Sequence, residues 1–137
     1  MNQNAAEMIV GQMEKAHEKL AAARSLARDQ HYDDAISRAY YAMFHSAGAV
    51  LLSLGITVDS HSALKAMFGL HLVKTGEIRR EYGKSLSRLK DDRENGDYDI
   101  FTDFGADDAQ KAISKAEGFV AEMKRYLSAM KGIGFPP

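Results

Sequence analysis

The chain has 137 residues, of which 18 are Lys or Arg, 19 are Asp or Glu and none is Cys. This length and an apolar share of 45% predict one globular domain over residues 1–137. The absence of cysteine excludes disulfides, thiolate zinc sites and cysteine nucleophiles. No apolar run approaches the ~20 residues of a membrane helix, and the start does not resemble a secretion signal. We therefore expect a cytoplasmic protein without a membrane partner.

The first half of the chain predicts two long helices joined by a tight turn. In both, apolar residues recur at alternating spacings of four and three, which places them along one side of a helix. The first helix is predicted over residues 4–29, and the second from Asp33 or Asp34 to about Leu54. The second helix carries further apolar residues outside its seam, namely Ala35, Ala39, Ala42, Phe44 and Ala49. This broad apolar surface predicts a helix that is central in the domain and also lies at a dimer interface.

Three more helices are predicted in the second half. Ser60 is a suitable N-cap for a helix reaching about residue 74, and the next is predicted over 77–92. A loop over 97–106 precedes a last helix over 107–131, whose apolar seam ends at Met130. Nothing resembles a strand. We therefore predict an all-α fold, an antiparallel up-and-down bundle of four to five helices.

One face of the second predicted helix carries polar residues suited to chemistry on a phosphate. Asp34, Arg38, Tyr41 and His45 are spaced by four, three and four residues, so they share a side opposite the apolar seam. Arg38 would supply positive charge, His45 an acid or base, and Tyr41 a contact to the ligand. The alternative is a solvated helix face with an ordinary ion pair between Arg38 and Asp34.

The turn before the last predicted helix forms a second candidate. Five acids surround Arg93 and Tyr98 between residues 91 and 99. Such a density suits Mg²⁺ or Ca²⁺, but the spacing does not match a calcium-binding loop, and a solvated turn is the alternative. We predict no metal and no other cofactor here, and keep a polar site built on Arg93 and Tyr98.

Two further groups of basic residues are candidates for binding an anion. His61, beside the Ser60 cap, would meet an anion at the start of its helix, or would have a capping or packing role. Three cations spaced by four residues, Arg80, Lys84 and Arg88, would follow a phosphate backbone. The alternative is that Glu77 and Glu81, which interleave with the three, neutralise them through ion pairs within the helix.

Three segments resemble small prokaryotic HEPN-domain proteins. They are the run Arg38 to His45 (RAYYAMFH), the run from Ser60 to Gly76, and Arg93 to Tyr98 (RENGDY). The likeness extends from about Tyr32 to Leu127. It implies a helical bundle that forms a homodimer, and in many such proteins a metal-independent ribonuclease. Bacterial versions are often toxins, or partners of a minimal nucleotidyltransferase that is encoded alongside.

The resemblance also implies a signature of an arginine, four to six residues and a histidine, with two copies meeting across the dimer. Arg38 and His45 fit this spacing, with six residues between them. By position in the chain, however, the resemblance favours Arg93, and the histidine expected after it is replaced by Tyr98. We therefore keep Arg38, His45, Arg93, Asp97 and Tyr98 as candidate catalytic residues.

The function expected from these features is to act on or bind RNA or nucleotides, as a ribonuclease component of a toxin system. The alternative is a non-catalytic binding module that partners a nucleotidyltransferase. The candidate residues for binding RNA or a nucleotide are Tyr41, His61, Arg80, Lys84 and Arg88.

Overall fold

The computed structural model describes residues 3–88 and 103–135, which form five α-helices. They are α1 (Gln3–Arg28), α2 (Tyr32–Ser53), α3 (His61–Phe68), α4 (residues 80–88) and α5 (Ala106–Lys131). No strand occurs in these two ranges. The prediction of an all-α helical bundle is confirmed, and the bounds of α1, α2 and α5 agree with it to within about two residues.

Helix α1 runs antiparallel to both α2 and α5. A turn of three residues, in which Gln30 has a φ of 67°, reverses the chain between α1 and α2. Near the end of α1, Arg24 forms an ion pair of 3.2 Å with Glu117 in the first half of α5. At the other end, Gly11 of α1 and Lys131 of α5 line the same cavity. Because α2 and α5 both run opposite to α1, they lie side by side in the same direction.

Helix α2 occupies the centre of the bundle, as predicted. It packs against α1, α5 and α3, and eleven of its residues are buried. Four alanines outside its main seam, Ala35, Ala39, Ala42 and Ala49, are completely buried within this one copy. Small side chains let neighbouring helices approach closely, which explains why alanine suits these positions. These alanines therefore present no surface to a second copy, and the dimer stays a prediction that rests on other features.

The third helix differs from the prediction, because α3 passes at Gly69 into a π-helical segment that ends at Val73. The wider turn is closed by a hydrogen bond of 2.8 Å from the Lys74 N–H to the Gly69 carbonyl. The next helix begins at residue 80 rather than 77. The Ile78 N–H bonds to the carbonyl of Leu72 in the π-helical segment, which holds residues 77–79 against that segment and out of α4.

Ser60 caps α3 as predicted, since its hydroxyl accepts a hydrogen bond of 3.0 Å from the Ala63 N–H. We expect Ser60→Ala to lower the free energy of unfolding by about 1 kcal/mol, because one N–H at the helix start loses its partner. Urea unfolding followed by circular dichroism measures this change. Ser62→Ala, an exposed neighbour on the same helix, is the control. Equal stabilities of the two variants would show that the cap contributes nothing.

Helix α5 has nine buried residues, which extend from Ala109 to Leu127. The prediction that Met130 continues the apolar seam is wrong, because its side chain is 59% exposed. The helix ends at Gly132, whose φ of 66° turns the chain back. Ile133, 7% exposed, then covers the core in the place predicted for Met130.

No helix within residues 3–88 and 103–135 combines the length and the apolar character that crossing a membrane requires.

Candidate functional site

The polar face of α2 lies beside α1 and α3, since His45 bonds to Gln12 of α1 and Tyr41 contacts His61 of α3. Arg38 is exposed on it, while Tyr41 and His45 are half-buried. The ion pair between Arg38 and Asp34, considered as part of the alternative, does not form, since neither residue has an ion pair within the described part of the chain. An exposed pair one turn apart is worth only a few tenths of a kcal/mol, too little to hold two solvated side chains together. The Arg38 guanidinium therefore points its charge at solvent.

His45 is held in a defined orientation by α1. Its Nδ1 lies 2.9 Å from the amide oxygen Oε1 of Gln12. An amide oxygen only accepts hydrogen bonds, so Nδ1 carries the proton and Nε2 is the unprotonated nitrogen of the neutral ring. Burial lowers the pKa of His45, and the charges of Lys19 and Lys15 lower it further. At neutral pH the ring is therefore uncharged and able to accept a proton at Nε2.

His61 is packed against α2 rather than pointing away from the bundle. Its Nδ1 shares a hydrogen bond of 2.5 Å with the hydroxyl of Tyr40, which is 1% exposed. The imidazole lies 5.0 Å from the ring of Phe44 and 6.0 Å from the ring of Tyr41, measured between centroids. The packing role considered for His61 is therefore present, and it brings the start of α3 next to Tyr41.

A basic groove lies between α3, the π-helical segment and α4. It has a volume of about 480 Å³. We call this cavity the basic groove because four cationic side chains line it, namely Lys65, Arg80, Lys84 and Arg88. All four cations are exposed, and no acidic residue is among the described residues that line the groove. Phe68, Val73 and Leu86 form its apolar floor.

Glu77 and Glu81, which lie close to the three cations of α4 in the sequence, do not neutralise them. Glu81 pairs instead with Arg79, and its Oε1 lies 3.1 Å from the Arg79 Nε. Glu77 lies beside Tyr126 of α5, where burial raises the pKa of the Tyr126 hydroxyl, and the charge and hydrogen bond of Glu77 raise it further. Within residues 3–88 and 103–135, Arg80, Lys84 and Arg88 form no ion pair. The alternative of pairing within α4 is therefore not realised there.

The α2 face and the basic groove are neighbours. Lys65 follows His61 by four residues, so both lie on one side of α3, about one turn apart. His61 contacts Tyr41, and Tyr41 lies within one turn of both Arg38 and His45 on α2. His61 and Tyr41 therefore link the side of α3 that carries Lys65 to the α2 face.

Two of these residues were not identified from the sequence. Lys65 is a lone lysine on a short helix, and only its spacing from His61 signals that it joins the site. Gln12 carries no signal, because its importance comes from the packing of α1 against α2. Arg93, Asp97 and Tyr98 lie outside the described residues, so they remain predictions. Within the described ranges, no group of three or more His, Asp or Glu side chains is placed to hold a metal ion.

The chain matches one domain family and is similar to several prokaryotic proteins. The model of the HEPN domain matches residues 11–126. A UPF0332 protein of Thermotoga maritima is 33% identical over 117 residues, covering 85% of this chain and 89% of the relative. "Putative toxin MJ0605" of Methanocaldococcus jannaschii is 38% identical over 128 residues, covering 93% and 94%. A second toxin-named protein of that archaeon is 32% identical over 115 residues, covering 84% and 78%.

Proposed function

Since this chain belongs to the HEPN domain family, we propose that it binds single-stranded RNA in the basic groove and cleaves it without a metal. One observation carries the proposal. Four cationic side chains from two helices line one open groove, and no acid among the described residues neutralises them there. Such a groove suits the regularly spaced charges of a phosphate backbone.

Cleavage is assigned to the α2 face. His45 Nε2 accepts the proton of a ribose 2′-hydroxyl, and the 2′-oxygen then forms a bond to the neighbouring phosphorus. The bond from phosphorus to the 5′-oxygen breaks, and that oxygen takes a proton from water. The hydroxide left behind takes the proton from the imidazolium. The products are a 2′,3′-cyclic phosphate and a 5′-hydroxyl, and Arg38 offsets the negative charge that develops on the phosphate.

We further propose that the protein acts as a toxin and has a protein partner. The names of two archaeal relatives support a toxin role. Toxicity through RNA cleavage requires control, and a partner that covers the basic groove or the α2 face would provide it. A homodimer would double the groove and the α2 face. Sedimentation of the purified protein alone measures the dimer, and sedimentation with a candidate minimal nucleotidyltransferase measures the complex.

RNA binding is tested by reversing two charges of the basic groove. We expect the Lys84→Glu, Arg88→Glu double variant to bind a 15-nucleotide RNA at least about tenfold more weakly than wild type. The slope of log affinity against log salt should decrease by about two, one for each lost phosphate contact. Fluorescence anisotropy with 2′-O-methyl RNA, which lacks the reacting hydroxyl, separates binding from cleavage.

The matched control reverses two exposed lysines on α5, Lys111→Glu and Lys115→Glu, which have the same spacing and the same change in net charge. It should bind RNA nearly as well as wild type. Equal weakening in both double variants would mean that only overall charge matters, and the groove would lose its role. Failure of the wild-type protein to bind the RNA would contradict the proposed function itself.

A further inference from the structure

The interface where α1 packs against α2 contains residues that the sequence patterns did not assign to a site. Gln12 on α1 holds His45 of α2 through the hydrogen bond of 2.9 Å. Lys19 is half-buried on the same helix and has no ion pair within residues 3–88 and 103–135. Lys15, in contrast, pairs with Glu18 at 3.7 Å. Lys19 is therefore the cation of α1 that remains available near His45.

Helix geometry places Lys19 opposite Arg38. Seven residues correspond to two turns, about 10 Å along a helix, and return to nearly the same side. Lys19 lies seven residues after Gln12 on α1, and Arg38 lies seven residues before His45 on the antiparallel α2. Lys19 and Arg38 therefore lie at the same level of the α1–α2 interface, two turns from the Gln12–His45 hydrogen bond. The charge of Lys19 also lowers the pKa of His45, which is a separate sign that Lys19 lies near that ring.

We propose that α1 completes the cleavage site, with Gln12 as the residue that positions His45 and Lys19 as a second cation, beside Arg38, for the phosphate. The inference rests on the proposed function, because it concerns the same reaction. Gln12 Oε1 accepts a hydrogen bond from the Nδ1–H of His45, which keeps Nε2 as the proton acceptor and fixes the plane of the ring. Lys19 and Arg38 approach the phosphate from two helices, so their charges converge without side chains of one helix having to bend together.

The chemistry of Gln12 suggests a pair of variants with opposite effects. Gln12→Leu keeps the approximate size of the side chain but removes the acceptor, so Nδ1 and Nε2 compete for the proton and the ring turns more freely. We expect kcat to fall about 10²-fold, with KM changed by less than threefold. Gln12→Glu keeps an acceptor and adds a negative charge that stabilises the imidazolium. It should retain much of the activity and move the acidic limb of the pH–rate profile to higher pH.

A merely structural role for Gln12 would not produce this pattern. Nuclear magnetic resonance titration of the His45 ring in the folded variants should show a higher pKa in Gln12→Glu than in wild type. Gln110→Leu is the matched control, because Gln110 bonds to Ser114 on the exposed side of α5 and far from His45. It should change neither the titration nor the cleavage rate.

The role of Lys19 is tested by a second, independent substitution. Lys19→Gln removes a charge that lowers the pKa of His45, so the acidic limb of the pH–rate profile should move to higher pH. It also removes a phosphate contact, so kcat/KM should fall about tenfold at neutral pH. The control is Lys115→Gln at an exposed lysine of α5, which should change neither quantity.

The possible outcomes separate the two proposals. If wild-type protein cleaves RNA while Gln12→Leu and Lys19→Gln match it in rate and pH profile, the role of α1 is overturned and the proposed function stands. If wild-type protein binds RNA but never cleaves it, the cleavage half of the proposed function fails, and the role of α1 fails with it. A loss in Gln12→Leu that Gln12→Glu restores would establish the positioning role.

Discussion

His45→Ala is expected to slow RNA cleavage by about 10²- to 10⁴-fold, the usual contribution of a positioned base. The variant loses the nitrogen that accepts the 2′-hydroxyl proton, but it keeps the basic groove and Arg38. Its affinity for 2′-O-methyl RNA should therefore remain within about threefold of the wild-type value. Single-turnover cleavage of a labelled RNA in excess chelator measures the rate, and the chelator keeps contaminating metal-dependent nucleases silent.

The pH dependence of the wild-type rate follows from the same histidine. Burial and the two lysines lower the pKa of His45 below its ordinary value of about 6.5. The neutral, proton-accepting ring therefore predominates above that lowered pKa. We expect the rate to rise with pH, with a midpoint below 6.5, and to be level by pH 7. A midpoint above 7 would be incompatible with this base.

Stability should change in the same pH range. The unfolded chain binds a proton at His45 near pH 6.5, whereas the folded chain binds it only at lower pH. Between these two pKa values the unfolded state holds more protons, so the free energy of unfolding falls as the pH falls below about 6.5. Urea unfolding at several pH values should show this decline, and it should be smaller in His45→Ala.

A second histidine provides the control for these measurements. Burial lowers the pKa of His17 too, and the charges of Lys124 and Arg24 lower it further. His17 lies on the side of α1 that faces α5, away from the α2 face. His17→Ala should cleave RNA at the wild-type rate. Equal loss of activity in both histidine variants would indicate damage to the fold rather than removal of a base.

Phe119→Ala should have the largest effect on stability, a loss of about 3–5 kcal/mol in the free energy of unfolding. The Phe119 side chain is 1% exposed. Its ring lies 5.7 Å from that of Phe68 and 6.1 Å from that of Tyr82, measured between centroids. Phe119 thus joins α5 to the two helices that form the walls of the basic groove, and alanine would leave a cavity where these three elements meet.

The same substitution should weaken RNA binding before the protein unfolds. With Phe119 removed, α3 and α4 lose a common support, and the four cations of the basic groove lose their fixed spacing. Urea unfolding and anisotropy with 2′-O-methyl RNA measure the two effects. Met130→Ala, at an exposed position of the same helix, should change stability by less than about 0.5 kcal/mol. A loss below 1 kcal/mol in Phe119→Ala would contradict the central position of this ring.

The helices themselves were largely predictable because their signals are local. The apolar seams of α1 and α2 and the Ser60 cap each act over a few residues. The failures have a different origin. The π-helical segment from Gly69 to Val73 is closed by the Lys74–Gly69 hydrogen bond, and the late start of α4 follows from the Ile78–Leu72 hydrogen bond across the next turn. Neither bond has a pattern in the sequence that announces it.

Amino-acid sequence alone determined that this protein is a helical bundle with cations at helical spacing, because periodicity and charge are properties of neighbours along the chain. Only the tertiary structure decided that Glu77 and Glu81 are engaged elsewhere, that Lys65 joins the basic groove, and that Gln12 meets His45. The physical reason is that an ion pair or hydrogen bond forms with whichever group packing brings within about 3 Å. Packing of distant helices is set by the whole core, and no short segment of the sequence contains that information.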